Sequence, residues 1–261
     1  MSWFPTNKKY ANTSAGIATP CFPANKKYAN TSAGIATPCF PANIASSFIA
    51  VKNTLQTLGT VRTIAWRYNR NSVPQGHEEI ILSAYKDADN YEIISFGYGM
   101  LFDTIIKYRK KVTDTLETVV QSGWILTEDD NWHTIMLTIN STVSHDVIRI
   151  YSDGIDRTDY EPAPPNNNAV FSGAQYFIGK SGTVYIGNCS IKDFVIAPSI
   201  LDPVAFHNST LDLSTIPTTL WYRMNDADEG APWTDNIKDS SGNGNHGTPF
   251  NITPETFFNQ T

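Results

Sequence analysis

The segment 131–157 restricts the possible fold more than any other part of the chain. Between Trp132 and Asn140, bulky residues alternate with Thr and Met. Successive side chains of a β-strand point to opposite faces, so this period of two predicts a strand with one face on a core. A second strand is predicted at 147–151, and the Asp153-Gly154 dipeptide that follows it is typical of a tight hairpin turn.

Similar short segments, rich in Ile, Val, Thr and Tyr, recur along most of the chain and are bounded by Asn, Gly, Asp or Pro. Their spacing of about 12 residues is typical of a β-sandwich, and no helical pattern intervenes that would favour an α/β fold. The other predicted strands are 47–51, 61–68, 79–84, 91–96, 104–109, 116–120, 174–179, 183–187, 190–197 and 220–224.

The predicted core contains the apolar residues on the inward faces of these strands. They include Ile135, Leu137, Ile139, Ile148, Ile150, Phe194 and Ile196. One short helix is predicted at 201–206, because Asp202 is a suitable N-cap and Pro203 fits the first helical position.

The Trp-His strand followed by Tyr-x-Asp-Gly resembles a hairpin of the concanavalin A-like lectin and glucanase superfamily, in its laminin G-like and pentraxin-like branch. The segment 190–197, Ser-Ile-Lys-Asp-Phe-Val-Ile-Ala, resembles the last long strand of that family, which a short helix often follows. The resemblance implies an all-β chain, an antiparallel jelly-roll β-sandwich that binds surfaces, glycans or other proteins.

The C-terminal part has an unexpected order. An aromatic strand at 220–224 precedes Asp-Ser-Ser-Gly-Asn-Gly-Asn-His-Gly-Thr-Pro at 239–249, a combination that resembles the opening of a domain of this family and here follows the other strands. Two interpretations fit this order: a permuted sandwich, which close termini allow, or an edge unit of a second domain. The tail also resembles those that follow such domains in phage and other viral structural proteins.

Residues 7–24 are repeated without change at 25–42. Residues 1–43 contain four lysines and no acid, so they carry +4, and the remainder of the chain carries -10 of the total of -6. Small residues and prolines predict an extended N-terminal arm, either a disordered tail or a segment that docks on another subunit. Its anchors would be Tyr10, Cys21, Phe22, Tyr28, Cys39 and Phe40.

The chain is therefore divided into an arm (1–43), a sandwich (44–203) and a C-terminal segment that completes or flanks the sandwich (204–261). The negative charge argues against nucleic-acid binding. Three cysteines form neither a disulfide framework nor a metal cluster, and no apolar run predicts a signal peptide or a membrane span. We expect a cytosolic protein or one that leaves the cell without a signal, as a virion component would.

Catalysis is not expected. The hydrolases of the resembled family use closely spaced carboxylates on one strand face, whereas Glu78 and Glu79 are adjacent and would face opposite ways. His133 is predicted to be structural, and the Gly242-x-Gly244-x-x-Gly247 segment is interpreted as a turn because it lacks the lysine and the context of a phosphate loop.

Two kinds of ligand contact are considered. The oxygen-rich loop with Asp226 and Asp228 is either solvated or a calcium site, which Asp153 and Asp239 could join only if folding brings them close. No other cofactor is expected. Most tryptophans are predicted to be core residues, and the candidates for stacking on a sugar are Trp124, Trp233 and Tyr98.

Three functions follow from these observations. The first is a non-enzymatic virion structural protein, capsid-decorating or tail-fibre-associated, which is held by its arm to itself or other virion proteins and binds host glycans. The second is a secreted or cell-surface carbohydrate-binding lectin module. The third is a glycoside hydrolase of the same fold. The predicted location is the virion, or the extracellular space for the second function.

Overall fold

The computed structural model is built almost entirely from β-strands. In the described part of the chain, seventeen strands accompany one five-residue α-helix and one 3-10 helix. The described residues are 40–41, 48–51, 59–70, 78–98, 104–111, 118–123, 125, 131–140, 147–160, 174–181, 184–185, 189–224 and 237–250.

The first sheet, sheet A, has seven antiparallel strands. Their order is β1 (Phe40–Pro41), β15 (Cys189–Ala197), β3 (Val61–Arg70), β8 (Trp132–Asn140), β9 (Val147–Ser152) and β10 (Ile155–Asp156). The seventh strand, β16 (Leu220–Tyr222), pairs with the same edge of β15 as β1 does, because β3 occupies the other edge.

The second sheet, sheet B, has eight antiparallel strands. Their order is β11 (Thr158–Tyr160), β7 (Thr118–Ser122), β6 (Thr104–Lys111), β5 (Asn90–Tyr98), β4 (Glu79–Asp87), β12 (Gln175–Ile178), β2 (Phe48–Val51) and β17 (Gly247–Phe250). A small third sheet joins β13 (Lys180–Ser181) to β14 (Val184–Tyr185). Neighbouring strands are often distant in sequence, and the result is the jelly-roll sandwich that the sequence predicts.

The core lies between sheets A and B, and its aromatic residues stack on each other. Trp66 lies 6.3 Å from Phe194 in sheet A, and Tyr68 lies 5.3 Å from Phe96 across the two sheets, all measured between ring centroids. The prediction of the core is confirmed, since every residue in the following list is 0% exposed: Ile135, Leu137, Ile139, Ile148, Ile150, Phe194 and Ile196.

The prediction that β8 has only one buried face is wrong. Met136 points away from the inter-sheet core and yet is 2% exposed, because it belongs to a second apolar cluster on the outer face of sheet A. Helix α1 (Pro203–His207) covers this face and inserts Phe206. The helix starts where Asp202 accepts hydrogen bonds from two backbone amides, so the predicted N-cap is confirmed, and it ends one residue later than predicted.

Strands at the sheet edges differ most from the prediction. Strands β1, β10, β11, β13 and β17 were not predicted, and β14 is shorter than the predicted strand at 183–187. The Asp153-Gly154 turn is confirmed: both residues have positive φ, +52° and +78°, as a two-residue hairpin turn of type I′ requires.

The C-terminal segment supplies one strand to each sheet. Strand β16 pairs with β15, with Trp221 opposite Val195, so the aromatic segment is a strand, as predicted. Strand β17 pairs with β2. The turn at 238–246, which precedes β17, encloses Asp239, whose carboxylate accepts backbone hydrogen bonds from Trp221, Ser241 and Asn245 at 2.9–3.0 Å. The glycine-rich segment is therefore a turn, as predicted, and the domain boundaries remain predictions.

No α-helix in the parts of the chain given above is long and apolar enough to cross a membrane.

Candidate functional site

A groove of about 360 Å³ lies on the outer face of sheet A, between the middle of β15, strand β16 and the segment that follows α1. Its volume lies within the range of small-molecule binding sites. The residues that line it are Arg67, Asp193, Phe206, Ser209, Leu211, Asp212, Leu213, Ser214, Trp221 and Arg223.

Arg67, on β3, fixes the end of α1 to the sheet. Its Nη1 and Nη2 atoms donate to the carbonyl oxygens of His207 and Phe206, at 3.3 and 2.5 Å, and Nη2 also donates to Ser209 Oγ at 3.0 Å. The guanidinium lies 5.0 Å from the Phe206 ring centroid. These contacts satisfy carbonyl groups at the C-terminal end of the helix, so Arg67 has mainly an architectural role.

Asp193 lies at a β-bulge in β15. The register with β3 shifts between Lys192 and Val195, and Asp193 has a φ of +49°. A bulge changes the direction of a side chain, and here the carboxylate oxygen lies 3.2 Å from Arg67 Nε. Burial raises the pKa of Asp193, although the neighbouring cations Arg67, Lys192 and Arg223 oppose this shift.

Trp221 and Arg223 form one wall of the groove. They are two residues apart, and the Arg223 guanidinium lies 5.4 Å from the centroid of the Trp221 ring. Trp221 is partly buried against the outer apolar cluster, which holds the ring in place. A stacked guanidinium keeps donors at its edge while its face covers the ring, so this wall combines an apolar surface with a positive charge.

The segment after α1 forms the opposite wall. Asp212 Oδ1 accepts hydrogen bonds from the backbone amide and the hydroxyl of Ser214, at 3.0 and 2.6 Å, and begins the 3-10 helix Leu213–Thr215. This wall therefore presents a carboxylate and a hydroxyl group beside Leu213. Together the two walls offer apolar surfaces, hydrogen-bond donors and acceptors, which suits a ligand with apolar faces and hydroxylated edges.

His133 has the structural role predicted for it. It is 7% exposed, packs 5.6 Å from Tyr68 between ring centroids, and its Nδ1 lies 2.8 Å from Asp153 Oδ2. The backbone amide of Thr134 donates to the other oxygen of Asp153 at 2.9 Å. Burial alone would raise the pKa of Asp153, but the hydrogen bonds from His133 and Thr134 outweigh burial and lower it.

The two adjacent glutamates are separated as expected. Glu78 accepts a hydrogen bond from Ser95 Oγ at 2.6 Å and pairs with Arg109 at 2.8 Å, whereas Glu79 is 8% exposed. Among the residues that the structure describes, Asp153 and Asp239 share no hydrogen-bond partner. Within the described ranges, no group of three His, Cys, Asp or Glu residues could hold a metal ion.

Most of the predicted ligand and assembly residues lie outside the described residues. These are Trp124, Trp233, Asp226, Asp228, Tyr10, Cys21, Phe22, Tyr28 and Cys39. Tyr98 and Phe40 are described only as strand positions, in β5 and β1. The roles given to these residues stay predictions.

The tryptophans that the structure describes have different environments. Trp66 is 0% exposed in the core, whereas Trp221 lines the groove and Trp132 lies beneath Lys192, whose Nζ is 4.0 Å from the ring centroid.

Sequence reasoning missed Asp193 and Arg223. The signal in the sequence was Lys192-Asp193, two consecutive charged residues within an apolar strand. In a regular strand one of the two would face the core, so the pair indicates a bulge.

Neither the comparison with protein-family models nor that with curated protein sequences finds a match. Among solved structures, the chain is similar to a heptameric SAP-like pentraxin from Limulus polyphemus, at 13% identity, with 66% of this chain and 80% of that chain covered and a TM-score of 0.47. It is also similar to the CBM40 of an IT-sialidase from Ruminococcus gnavus, at 11% identity, 67% and 97% coverage and a TM-score of 0.48. The enzymatically active domain of tailspike protein 2 of bacteriophage CBA120 is similar at 8% identity, 62% and 26% coverage and a TM-score of 0.46.

Proposed function

We propose that the protein is a non-enzymatic, glycan-binding jelly-roll module and that the groove on sheet A is its binding site. The observation that carries this proposal is the stacking of Arg223 on Trp221 opposite Asp212 and Ser214. A sugar ring has apolar C–H faces and hydroxyl groups along its edge. Leu213 would contact a face, while Arg223, held over Trp221, would donate to hydroxyl oxygens and Asp212 would accept from hydroxyl groups.

The state of the two groove carboxylates favours binding over hydrolysis. Glycoside hydrolysis uses one carboxyl group as acid and a second as base or nucleophile. Asp193 is paired with Arg67, and one oxygen of Asp212 is used to cap the 3-10 helix. Incubation with a bound glycan should therefore leave it intact by mass spectrometry, and released fragments would favour the alternative of a glycoside hydrolase.

The binding proposal is tested on a glycan array, followed by calorimetric titration of the strongest binder. Arg223→Gln should weaken binding about ten- to a hundredfold, since hydrogen bonds to charged groups contribute about 1.5–3 kcal/mol. The matched control is Arg149→Gln, which removes an arginine with 41% side-chain exposure from β9. Equal affinities of both variants and the wild type, with unchanged thermal unfolding, would contradict the assignment of the groove.

We further propose that this module is a virion structural protein, capsid-decorating or tail-fibre-associated, and that residues 1–43 anchor it to other subunits. The support is the +4 charge of the arm against -10 for the remainder, together with the identical repeats. In the structure, Phe40 and Pro41 pair with Ile191 and Ser190, so the arm meets the body at the edge of β15.

The arm proposal is tested with virus particles that lack this protein. The full chain should bind them at higher density than a chain that starts at Ile44. A second variant lacks residues 25–42, which removes one repeat and restores the same sequence before residue 43. It separates the loss of a repeat from the loss of β1. If the chain from Ile44 binds as densely as the full chain, the arm is not the anchor, and a secreted or cell-surface lectin is the better interpretation.

A further inference from the structure

We infer that the binding surface continues from the groove across sheet A to Trp132 and takes an acidic oligosaccharide, whose sugars carry carboxylate or sulfate groups. The inference deepens the proposed function and depends on it, because the glycan is assumed to occupy the groove. It specifies the length of the ligand, its charge and its direction across the strands. It also gives a role to Lys192, which does not line the groove.

The surface crosses four neighbouring strands. Pairing places Lys192 of β15 directly opposite Arg67 of β3, and it places Asn69 of β3 opposite Trp132 of β8. The Lys192 side chain therefore reaches across β3 to the Trp132 ring. On the other side, β15 pairs with β16, which carries Trp221. The side chains of this surface, except that of the bulged Asp193, belong to outward-facing positions. Trp132 and Met136 are four positions apart in β8 and so lie on the same face, and Met136 belongs to the outer apolar cluster.

The two ends of this surface have the same chemistry. One end has Lys192 Nζ at 4.0 Å from the Trp132 ring centroid, and the other has the Arg223 guanidinium at 5.4 Å from the Trp221 ring centroid. Three strand spacings separate β8 from β16, about 14 Å, and the two tryptophans are also offset along the strands, because Trp132 is in register with Ser190 and Trp221 with Val195. A monosaccharide in the groove cannot reach both rings, whereas an oligosaccharide lying across the strands can.

The charges of this surface favour an anionic ligand. Three cations, Lys192, Arg67 and Arg223, surround a single carboxylate, Asp193, and Asp212 lies at the far wall of the groove. The chain as a whole carries -6, so a cationic surface is a local departure from its average. An acidic sugar would approach this surface favourably.

Lys192 is poorly solvated in the free protein. Burial lowers its pKa, and the charge of Arg67 lowers it further, although Asp193 opposes both. A carboxylate or sulfate placed beside Lys192 would replace part of the lost hydration and stabilise the ammonium group. A neutral sugar would supply no such charge, which gives a physical reason for discrimination between acidic and neutral chains.

The test uses an array of neutral, carboxylate-bearing and sulfate-bearing oligosaccharides, each from one to six sugars long. The wild type should bind acidic chains of three or more sugars most strongly, and this binding should weaken as the salt concentration rises. Lys192→Met keeps an unbranched apolar stem over Trp132 and removes the charge. It should lower affinity for acidic chains at least about fivefold and leave affinity for neutral chains unchanged, while Lys192→Arg should restore it.

Lys86→Met, an exposed lysine on β4 in the other sheet, is the control and should bind acidic chains as the wild type does. The inference is overturned if neutral glycans bind most strongly or if Lys192→Met binds like the control. In that case, binding that still depends on Arg223 would leave the proposed function intact. Binding of no glycan at all, neutral or acidic, would overturn both proposals. The carboxylate and sulfate arms identify which acidic group is recognised.

Discussion

Arg62 and Glu92 form an ion pair inside the core that joins the two sheets. Arg62 is 5% exposed on β3, Glu92 is 1% exposed on β5, and Arg62 Nη2 lies 2.5 Å from Glu92 Oε1. Burial alone would lower the pKa of Arg62, but the charge of Glu92, its hydrogen bond to Arg62 and the neighbouring Tyr108 and Tyr176 together outweigh this effect and raise it. Arg62 therefore stays charged in the folded protein at neutral pH.

Loss of one member of this pair leaves a buried charge without its counter-ion. Arg62→Met and Glu92→Leu should each lower the free energy of unfolding by about 3–5 kcal/mol, whereas the double variant should lie much closer to the wild type. Urea denaturation of the four proteins measures the coupling directly. Single variants that lose less than about 1 kcal/mol would mean that water reaches the pair.

Asp153 should make stability depend on acidity. Its folded pKa is lowered, so its stabilising contribution is complete above the ordinary carboxyl pKa of about 3.9 and disappears as the pH falls through the lower folded value. The unfolding free energy of Asp153→Asn should therefore fall less steeply than that of the wild type below about pH 4. Asn tolerates the φ of +52° at this position, so the backbone is not strained. Asp159→Asn, at an exposed position, is the control and should follow the wild type. If the unfolding free energy of Asp153→Asn falls as steeply with decreasing pH as that of the wild type, the assignment is contradicted.

The hairpin between β9 and β10 is held against α1 through Gly154. Gly154 and Gly242 have similar φ values, +78° and +83°, but a Cβ at Gly154 would lie 3.2 Å from the Val204 Cα, whereas none of the described atoms lies within 4 Å of a Cβ at Gly242. Alanine at either site should cost about 1–2 kcal/mol for the left-handed backbone. Gly154→Ala should cost more, because α1 must also move. Equal losses in thermal unfolding would show that the turn does not support the helix.

The C-terminal segment is predicted to be required for folding. Removal of residues 215–261 would leave the edges of β15 and β2 without β16 and β17 and would remove Leu220, Tyr222, Met224 and Ile237 from the core. Unpaired edges next to an open core favour aggregation. The shortened chain should aggregate or unfold, and a soluble 44–214 fragment with a cooperative thermal transition would refute the idea of a sandwich completed by this segment.

Sequence reasoning succeeded where a single strand contained enough information. The alternation in β8 predicts Ile135, Leu137 and Ile139 as core residues, and the positions of Asp202 and Pro203 predict the start of α1. Strand β10 has only two residues, both exposed, and is defined by its partner and not by its own pattern. The groove depends on a bulge in β15 and on the pairing of Val195 with Trp221, which are 26 positions apart. No local pattern determines such a contact, so the groove could not be predicted.

In the whole molecule, β15 connects the three parts that matter for function. Its outer edge pairs with β1, at the end of the arm, and with β16, which carries Trp221. Between these two contacts lie Lys192 and Asp193, on the proposed binding surface. An arm anchored to a neighbouring subunit would therefore end at the same strand that bears the binding surface, while sheet B lies on the opposite side of the core.

The indole N–H signals of the six tryptophans report directly on where a glycan binds. In a two-dimensional NMR spectrum, each signal is assigned by replacing one tryptophan with phenylalanine, and the strongest glycan from the array is then titrated into the wild type. The groove assignment predicts that the Trp221 signal shifts in proportion to occupancy, with Trp132 following for an acidic oligosaccharide, while the signal of Trp66 in the core stays unchanged. Shifts at Trp124 or Trp233 with an unchanged Trp221 signal would contradict it and would place the binding site on those residues.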